Sequence, residues 1–169
     1  MRLSHSRVPH VLRVSLLCAL LTAMLLTACG GGNGGALSKQ EYQDRLDTTR
    51  TELSASFEEL GTQLEAALKG TGSLDDAAKE VESIQEKLQG RADELEGLTP
   101  PDAAAEANDA LASGMQELAD DLDAFKSALE SGDFGKIQTE ANKIETFASG
   151  RKLQQAGDDL EAAGYTFNE

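Results

Sequence analysis

The chain is 169 residues long and carries 30 Asp+Glu against 15 Lys+Arg, a formal net charge of −15. A surface this acidic repels the phosphates of nucleic acid and anionic lipid headgroups, so no nucleic-acid partner is expected. With only 2 His, 2 Cys and no Trp, the chain is also poor in the donors that helical metal and haem sites use.

The N-terminal segment has its own pattern. Arg2, Arg7 and Arg13 give it a positive head, and residues 14–26 are apolar except for Ser15, Cys18 and Thr22. Small residues Thr27 and Ala28 then precede Cys29. A basic head, a short apolar core and a small-residue cleavage site are the parts that signal peptidases read. The apolar run is shorter than the roughly 18 residues a retained membrane span requires. There is no Arg-Arg pair, which argues against the twin-arginine route.

The string Leu26-Thr27-Ala28-Cys29 resembles the lipobox of bacterial lipoproteins. That resemblance implies a diacylglyceryl group on the Cys29 thiol and cleavage between Ala28 and Cys29. It implies membrane lipid as a partner through Cys29, and a site on the cell membrane or outer membrane facing the extracytoplasmic side. Gly30 after the cysteine resembles the outer-membrane form of retention. One acyl chain binds a bilayer marginally, and two or more hold it stably. Cys18 would leave with the leader and Cys29 would carry lipid, so the mature domain is expected to have no disulfide. His5 and His10 would leave as well. With Arg2, Arg7 and Arg13 set aside, 12 of the 15 Lys+Arg remain against 30 Asp+Glu, a net charge of −18.

The expected organisation is a signal peptide over 1–28, a lipidated cysteine with a Gly-rich spacer over 29–36, an acidic helical bundle over 37–164 and a tail over 165–169. Gly30, Gly31, Gly32, Asn33, Gly34 and Gly35 make the spacer slack. The bundle follows from periodicity. Ser38 and Glu41 form a capping-box pattern. Beyond them Tyr42, Leu46, Leu53, Phe57, Leu60, Leu64 and Leu68 lie on one helical stripe, which ends at residues 70–72. Ser73 is the next N-cap, with Asp75 and Asp76 where the helix dipole favours anions. Leu74, Ala77, Val81, Ile84, Leu88, Leu95 and Leu98 form the second stripe, with Arg91 as a charged intrusion. Thr99 before Pro100 and Pro101 ends it.

The third stripe runs through Ala104, Leu111, Met115, Leu118, Leu122, Phe125 and Leu129 to the turn at Ser131, Gly132 and Asp133. The fourth has Phe134, Ile137, Ala141, Ile144, Phe147 and Ala148. It changes phase to Leu153, Ala156, Leu160 and Ala163, so a kink or break is expected at Gly150. No segment alternates with period two. The expected fold is therefore all-α, an antiparallel up-down-up-down four-helix bundle. A three-helix bundle with a kinked or detached C-terminal helix is the alternative. An even number of antiparallel helices returns the chain to its starting end. The entry to the bundle, the Thr99 turn and the tail should share one end, with the turns near Thr71 and Gly132 at the other.

Few residues suggest chemistry. Without mature histidine or a usable thiol, only Ser–Lys or carboxylate schemes remain, and no motif for them stands out. Asp75 and Asp76, then Asp120, Asp121 and Asp123, then Asp158 and Asp159, are acidic clusters that lack the EF-hand spacing. They read as solvated helix faces, and no catalytic residue, metal site or cofactor is expected. Phe57, Phe125, Phe134 and Phe147 are expected in the core and Tyr42 half exposed. Tyr165 and Phe167 either pack back on the bundle or touch the membrane interface. The functional expectation is a non-enzymatic envelope lipoprotein that acts through contacts. The alternative is a ligand- or ion-binding lipoprotein serving a transporter or sensor. The heptads leave oligomeric state open.

Overall fold

A computed structural model describes residues 35–144 and 146–167 of the chain. These form a four-helix bundle built from six α-helices: α1 (Lys39–Leu68), α2 (Leu74–Glu96), α3 (Ala105–Asp121), α4 (Asp123–Ser131), α5 (Phe134–Ile144) and α6 (Ala148–Ala162). A single 3-10 turn, Asp102–Ala104, precedes α3. No strand occurs among the described residues. The segments α3 and α4 make one bent rod, and α5 and α6 make one broken rod.

The helix starts follow the caps written in the sequence. Ser38 and Glu41 close a full capping box, with the Ser38 N–H donating to Glu41 Oε2 at 2.9 Å and the Glu41 N–H to Ser38 Oγ at 3.2 Å. Two orphan N–H groups at the start of α1 are thereby satisfied. Ser73 Oγ accepts from the Asp75 N–H at 3.1 Å. Asp133 Oδ1 accepts from the N–H groups of Gly135 and Lys136 at 3.0 and 3.2 Å, starting α5. Before it, Gly132 adopts φ +66°, a left-handed cap that disfavours any side chain.

Helix α2 is the centre of the packing, lying against α1, α3 and α4, while α6 packs on α3 and α5 on α4. Val81, Ile84, Leu88, Ala92 and Leu95 of α2 are at most 2% exposed. Burying side chains such as Ile84 and Leu88 contributes about 1.5–3 kcal/mol each. Ala92, not Arg91, continues the apolar face. Arg91 turns outward, where Glu94 and Glu52 pair with it and raise its pKa.

The bend between α3 and α4 falls at Leu122, whose φ and ψ are −75° and −13°. Gln85 straddles it, donating to the Ala119 carbonyl at 2.8 Å and to Asp123 Oδ1 at 2.7 Å. A side chain bonded into the helical ladder is a common cause of such bends.

Three expectations need correction. The last rod does not break at Gly150, which lies within α6. It breaks at Thr146 and Phe147, where Phe147 is extended at φ −55° and ψ 140°. The Thr146 hydroxyl bonds back to the Lys143 carbonyl at 2.8 Å, competing with helix continuation, and the Ser149 hydroxyl fixes the new start by donating to Asp121 Oδ2 at 2.6 Å. Tyr42 is not half exposed but fully buried. Phe57 and Phe134 are not core residues: they are 36% and 57% exposed, and Leu68 on the same α1 stripe is 67% exposed.

The even-helix geometry holds within the bundle. At the end we call the base, the Leu37 N–H donates to the Thr99 carbonyl at 2.8 Å, and Lys39 Nζ reaches the Ala163 carbonyl at 3.3 Å. Entry, proline turn and C-terminal tail therefore meet. At the tip, Leu68 and Leu74 on either side of the first turn, with Phe134 just after the turn at Gly132, line one hollow.

Candidate functional site

The base is closed by a polar and aromatic clamp. The Tyr42 hydroxyl donates to Asn108 Oδ1 at 3.0 Å, and Asn108 Nδ2 donates to the Leu95 carbonyl at 3.0 Å. Asn108 is only 2% exposed. Three helices are thus tied through one buried asparagine whose amide oxygen and nitrogen are both engaged. Tyr165 stacks edge-on against Tyr42 with ring centroids 5.4 Å apart, and Lys39 Nζ lies 4.9 Å from the Tyr165 ring. Gly164, at φ +82°, turns the chain so that Tyr165 points back inward. Gln43 then seals the tail, donating to the Thr166 carbonyl at 2.7 Å and accepting from the Thr166 N–H at 3.0 Å. Of the two places open to the tail, Tyr165 takes the bundle. Burial pushes both phenols above their ordinary pKa, Tyr42 more strongly, with Tyr165 and Asp109 adding to its shift.

Above the base the bundle is less complete. Helix α1 does not pack closely along α5 or α6. The resulting seam contains two apolar hollows. The lower, about 280 Å³, is bounded by Leu46 and Leu53 of α1, Leu111 and Met115 of α3, Leu153 of α6, and Phe167. The upper, about 410 Å³, lies at the tip between Leu64 and Leu68 of α1, Leu74 of α2, Phe125 of α4, and Phe134 and Ile137 of α5. Two further depressions, of about 440 and 240 Å³, are lined by charges of both signs, such as Asp76 with Lys79 and Glu82 with Lys126.

Leu26, Thr27, Ala28 and Cys29, which carry the expected cleavage and lipidation, lie outside the described residues, as do the first five residues of the spacer. The acidic clusters are spread over several structural tasks. Asp121 accepts from Ser149, Asp123 from Gln85, and Asp76 pairs with Lys79 at 3.3 Å. Among the described residues, no group of three or more His, Cys, Asp or Glu is arranged to hold a metal ion. No described helix is long and apolar enough to cross a membrane.

One pair does have the reach of a Ser–Lys dyad: Lys87 Nζ lies 2.6 Å from Ser56 Oγ. Its setting is structural. Ser56 is 5% exposed in the middle of α1, and its hydroxyl donates to the Glu52 carbonyl at 3.2 Å. Backbone N–H groups in a helix interior are engaged in the helical ladder, so they offer no oxyanion hole. The pair ties α1 to α2.

Sequence reasoning missed Asn108, Gln85 and Gly114. Gly114 lies where α3 meets α6, and a Cβ there would come within 2.9 Å of Leu153 Cδ2. No protein-family model, curated protein or solved structure matches this chain.

Proposed function

We propose that the protein is a lipid-anchored lipoprotein of the cell envelope, held at a membrane through acylated Cys29 and acting by contact with a partner, without catalysis. The signal-like segment and the string Leu26-Thr27-Ala28-Cys29 support the anchoring half of this reading. The asymmetry of the bundle supports the contact half. The chain enters the domain at its sealed base, while the exposed apolar residues Leu68 and Phe134 stand at the opposite end. A contiguous apolar patch on a soluble domain is most often a contact surface. An anchor at the base and a contact surface at the tip suit a module presented away from a bilayer.

Two measurements test the two halves. Intact mass of the native protein should show a chain beginning at Cys29 with added lipid mass, and any other N-terminus overturns the anchoring. Photocrosslinkers placed at Thr71 and Gln138 should capture protein in the native cell. Capture from Thr99 and Thr166 alone would overturn the orientation.

A further inference from the structure

We infer that the lower hollow of the α1–α6 seam binds a single-chain amphiphile with an anionic head, of the fatty-acid class. The inference goes beyond the anchoring and contact roles and does not require either.

The walls are hydrocarbon. Leu46 and Leu53 stand two turns apart on α1, Leu153 faces them from α6, and Leu111 and Met115 make the floor. At about 280 Å³ the hollow lies at the small end of ligand pockets, which run from roughly 300 to 1,000 Å³. That size suits one unbranched chain, and is too small for a two-chain lipid. Phe167 also lines it, on the tail that the Gln43–Thr166 pair pins to α1.

The polarity of the rim selects the head. The chain has twice as many acidic as basic residues, yet no carboxylate lines this hollow. Its one charged residue is Arg50, which is exposed and forms no ion pair among the described residues. Of the twelve Lys and Arg among the described residues, Lys69, Lys79, Arg91, Lys126, Lys143 and Lys152 are paired with a carboxylate, and of the other six Arg50 alone lines this hollow. Beside Arg50 in the lining, Thr49 is 6% exposed and its hydroxyl has no intramolecular partner among the described residues. A guanidinium fork with an adjacent hydroxyl complements a carboxylate head, and the apolar walls take the tail.

The test uses the full-length chain with two probes of equal chain length, laurate and dodecyltrimethylammonium, both below their micellar concentrations. Laurate should raise the melting temperature saturably, because it binds the native state, and the cationic probe should not. Arg50→Glu should weaken laurate binding about tenfold, since it replaces an attractive rim charge with a repulsive one. Gly157→Leu should abolish binding without lowering the unliganded melting temperature. Gly157 lines the hollow, a Cβ there meets nothing within 4 Å, and leucine is the better helix former. No saturable effect of laurate, an equal response to both heads, or binding that survives Gly157→Leu would each overturn the assignment. Cys29→Ser is run in parallel. Equal stabilisation of both chains supports a free ligand. Stabilisation confined to the serine variant means that the chain's own acyl group occupies the hollow, and overturns it. The mass of the N-terminal residue reports the anchor separately from all of these.

Discussion

The base and the tip of this bundle are made from the same helices and finished in opposite ways. At the base Tyr42, Asn108 and Tyr165 are at most 3% exposed; the Tyr42 hydroxyl and the Asn108 amide are tied to each other and to the backbone, and the Tyr165 ring stacks on Tyr42. At the tip Leu68 and Phe134 are 67% and 57% exposed around an apolar hollow. Both ends of α1 carry the same apolar stripe. The difference lies in what covers the stripe. At the base the tail folds back through Tyr165 and the Gln43–Thr166 pair, and Asn108 joins α1 to α3, whereas at the tip α5 packs on α4 and leaves Leu68 uncovered. An apolar stripe with the right period therefore specifies a helix, but it does not guarantee that the helix finds a partner along its whole length.

If the base is the lock of the domain, breaking it should cost the most. Asn108→Ala leaves the buried Tyr42 hydroxyl without a partner, removes the side-chain bond to the Leu95 carbonyl, which keeps the Leu98 N–H, and opens a cavity; it should destabilise by about 2–3 kcal/mol. The urea midpoint measures this. A loss under about 1 kcal/mol would mean that the two ends differ only in appearance. Tyr42→Phe comes next. It removes one hydroxyl, leaves Asn108 Oδ1 unpaired, and should cost about 1–2 kcal/mol.

Tyr42→Phe should also change the alkaline behaviour. The Tyr42 phenol is held above its ordinary value of 10.0 in the fold by burial. Above pH 10 the unfolded chain gives up this proton while the folded chain keeps it. The stability is thus full below pH 10 and is lost as pH rises through the folded value, and the phenylalanine variant should show a flatter alkaline limb.

A smaller effect comes from the first turn of α1. Glu41 is held below its ordinary 4.5, first by the Ser38 hydroxyl and then by the Ser38 N–H. A depressed carboxylate stabilises the fold above its ordinary value, and that stabilisation is lost as pH falls through the folded value. Glu41→Gln keeps an acceptor in the capping box and removes the titration. Thermal melts between about pH 5 and pH 2 should show a shallower acid slope for the variant. An unchanged slope would remove the capping box from the account of the base.

The caps, the rod count and the return of the chain to its base were legible because each depends on local signals: Ser38 with Glu41, Ser73, Gly132, and the proline pair after Thr99. What was not legible depends on partners distant in sequence. Asn108 lies four residues after Ala104 and three before Leu111, squarely on the third stripe. A polar residue in that place was a signal that the periodic reading passed over. Gln85 has the same relation to Val81 and Leu88. Gly114 could not be distinguished from any helix-weakening glycine until α6 was seen to approach it. Phe57, Phe134 and Leu68 had the period of core residues, and only the packing of the helices, in which α1 lies closely against α2 and not against the last rod, shows that they are uncovered. The anchoring string at Cys29 is sequence evidence alone.

The smallest expected effect is the one that best separates the two ends. Leu68→Ser and Phe134→Ser remove large apolar groups, yet those groups are already more than half exposed. Each should shift stability by no more than about 0.5 kcal/mol. Leu88→Ala, by comparison, empties a site that is 1% exposed and should cost about 2–5 kcal/mol, because the cavity adds to the lost transfer energy. If the tip is a contact surface, the two serine variants should lose crosslinked partner from Thr71 and Gln138 while keeping the parent's urea midpoint. A large fall in midpoint would show instead that Leu68 and Phe134 support the fold, and the open end would then be a loosely packed core with no claim to be an interface.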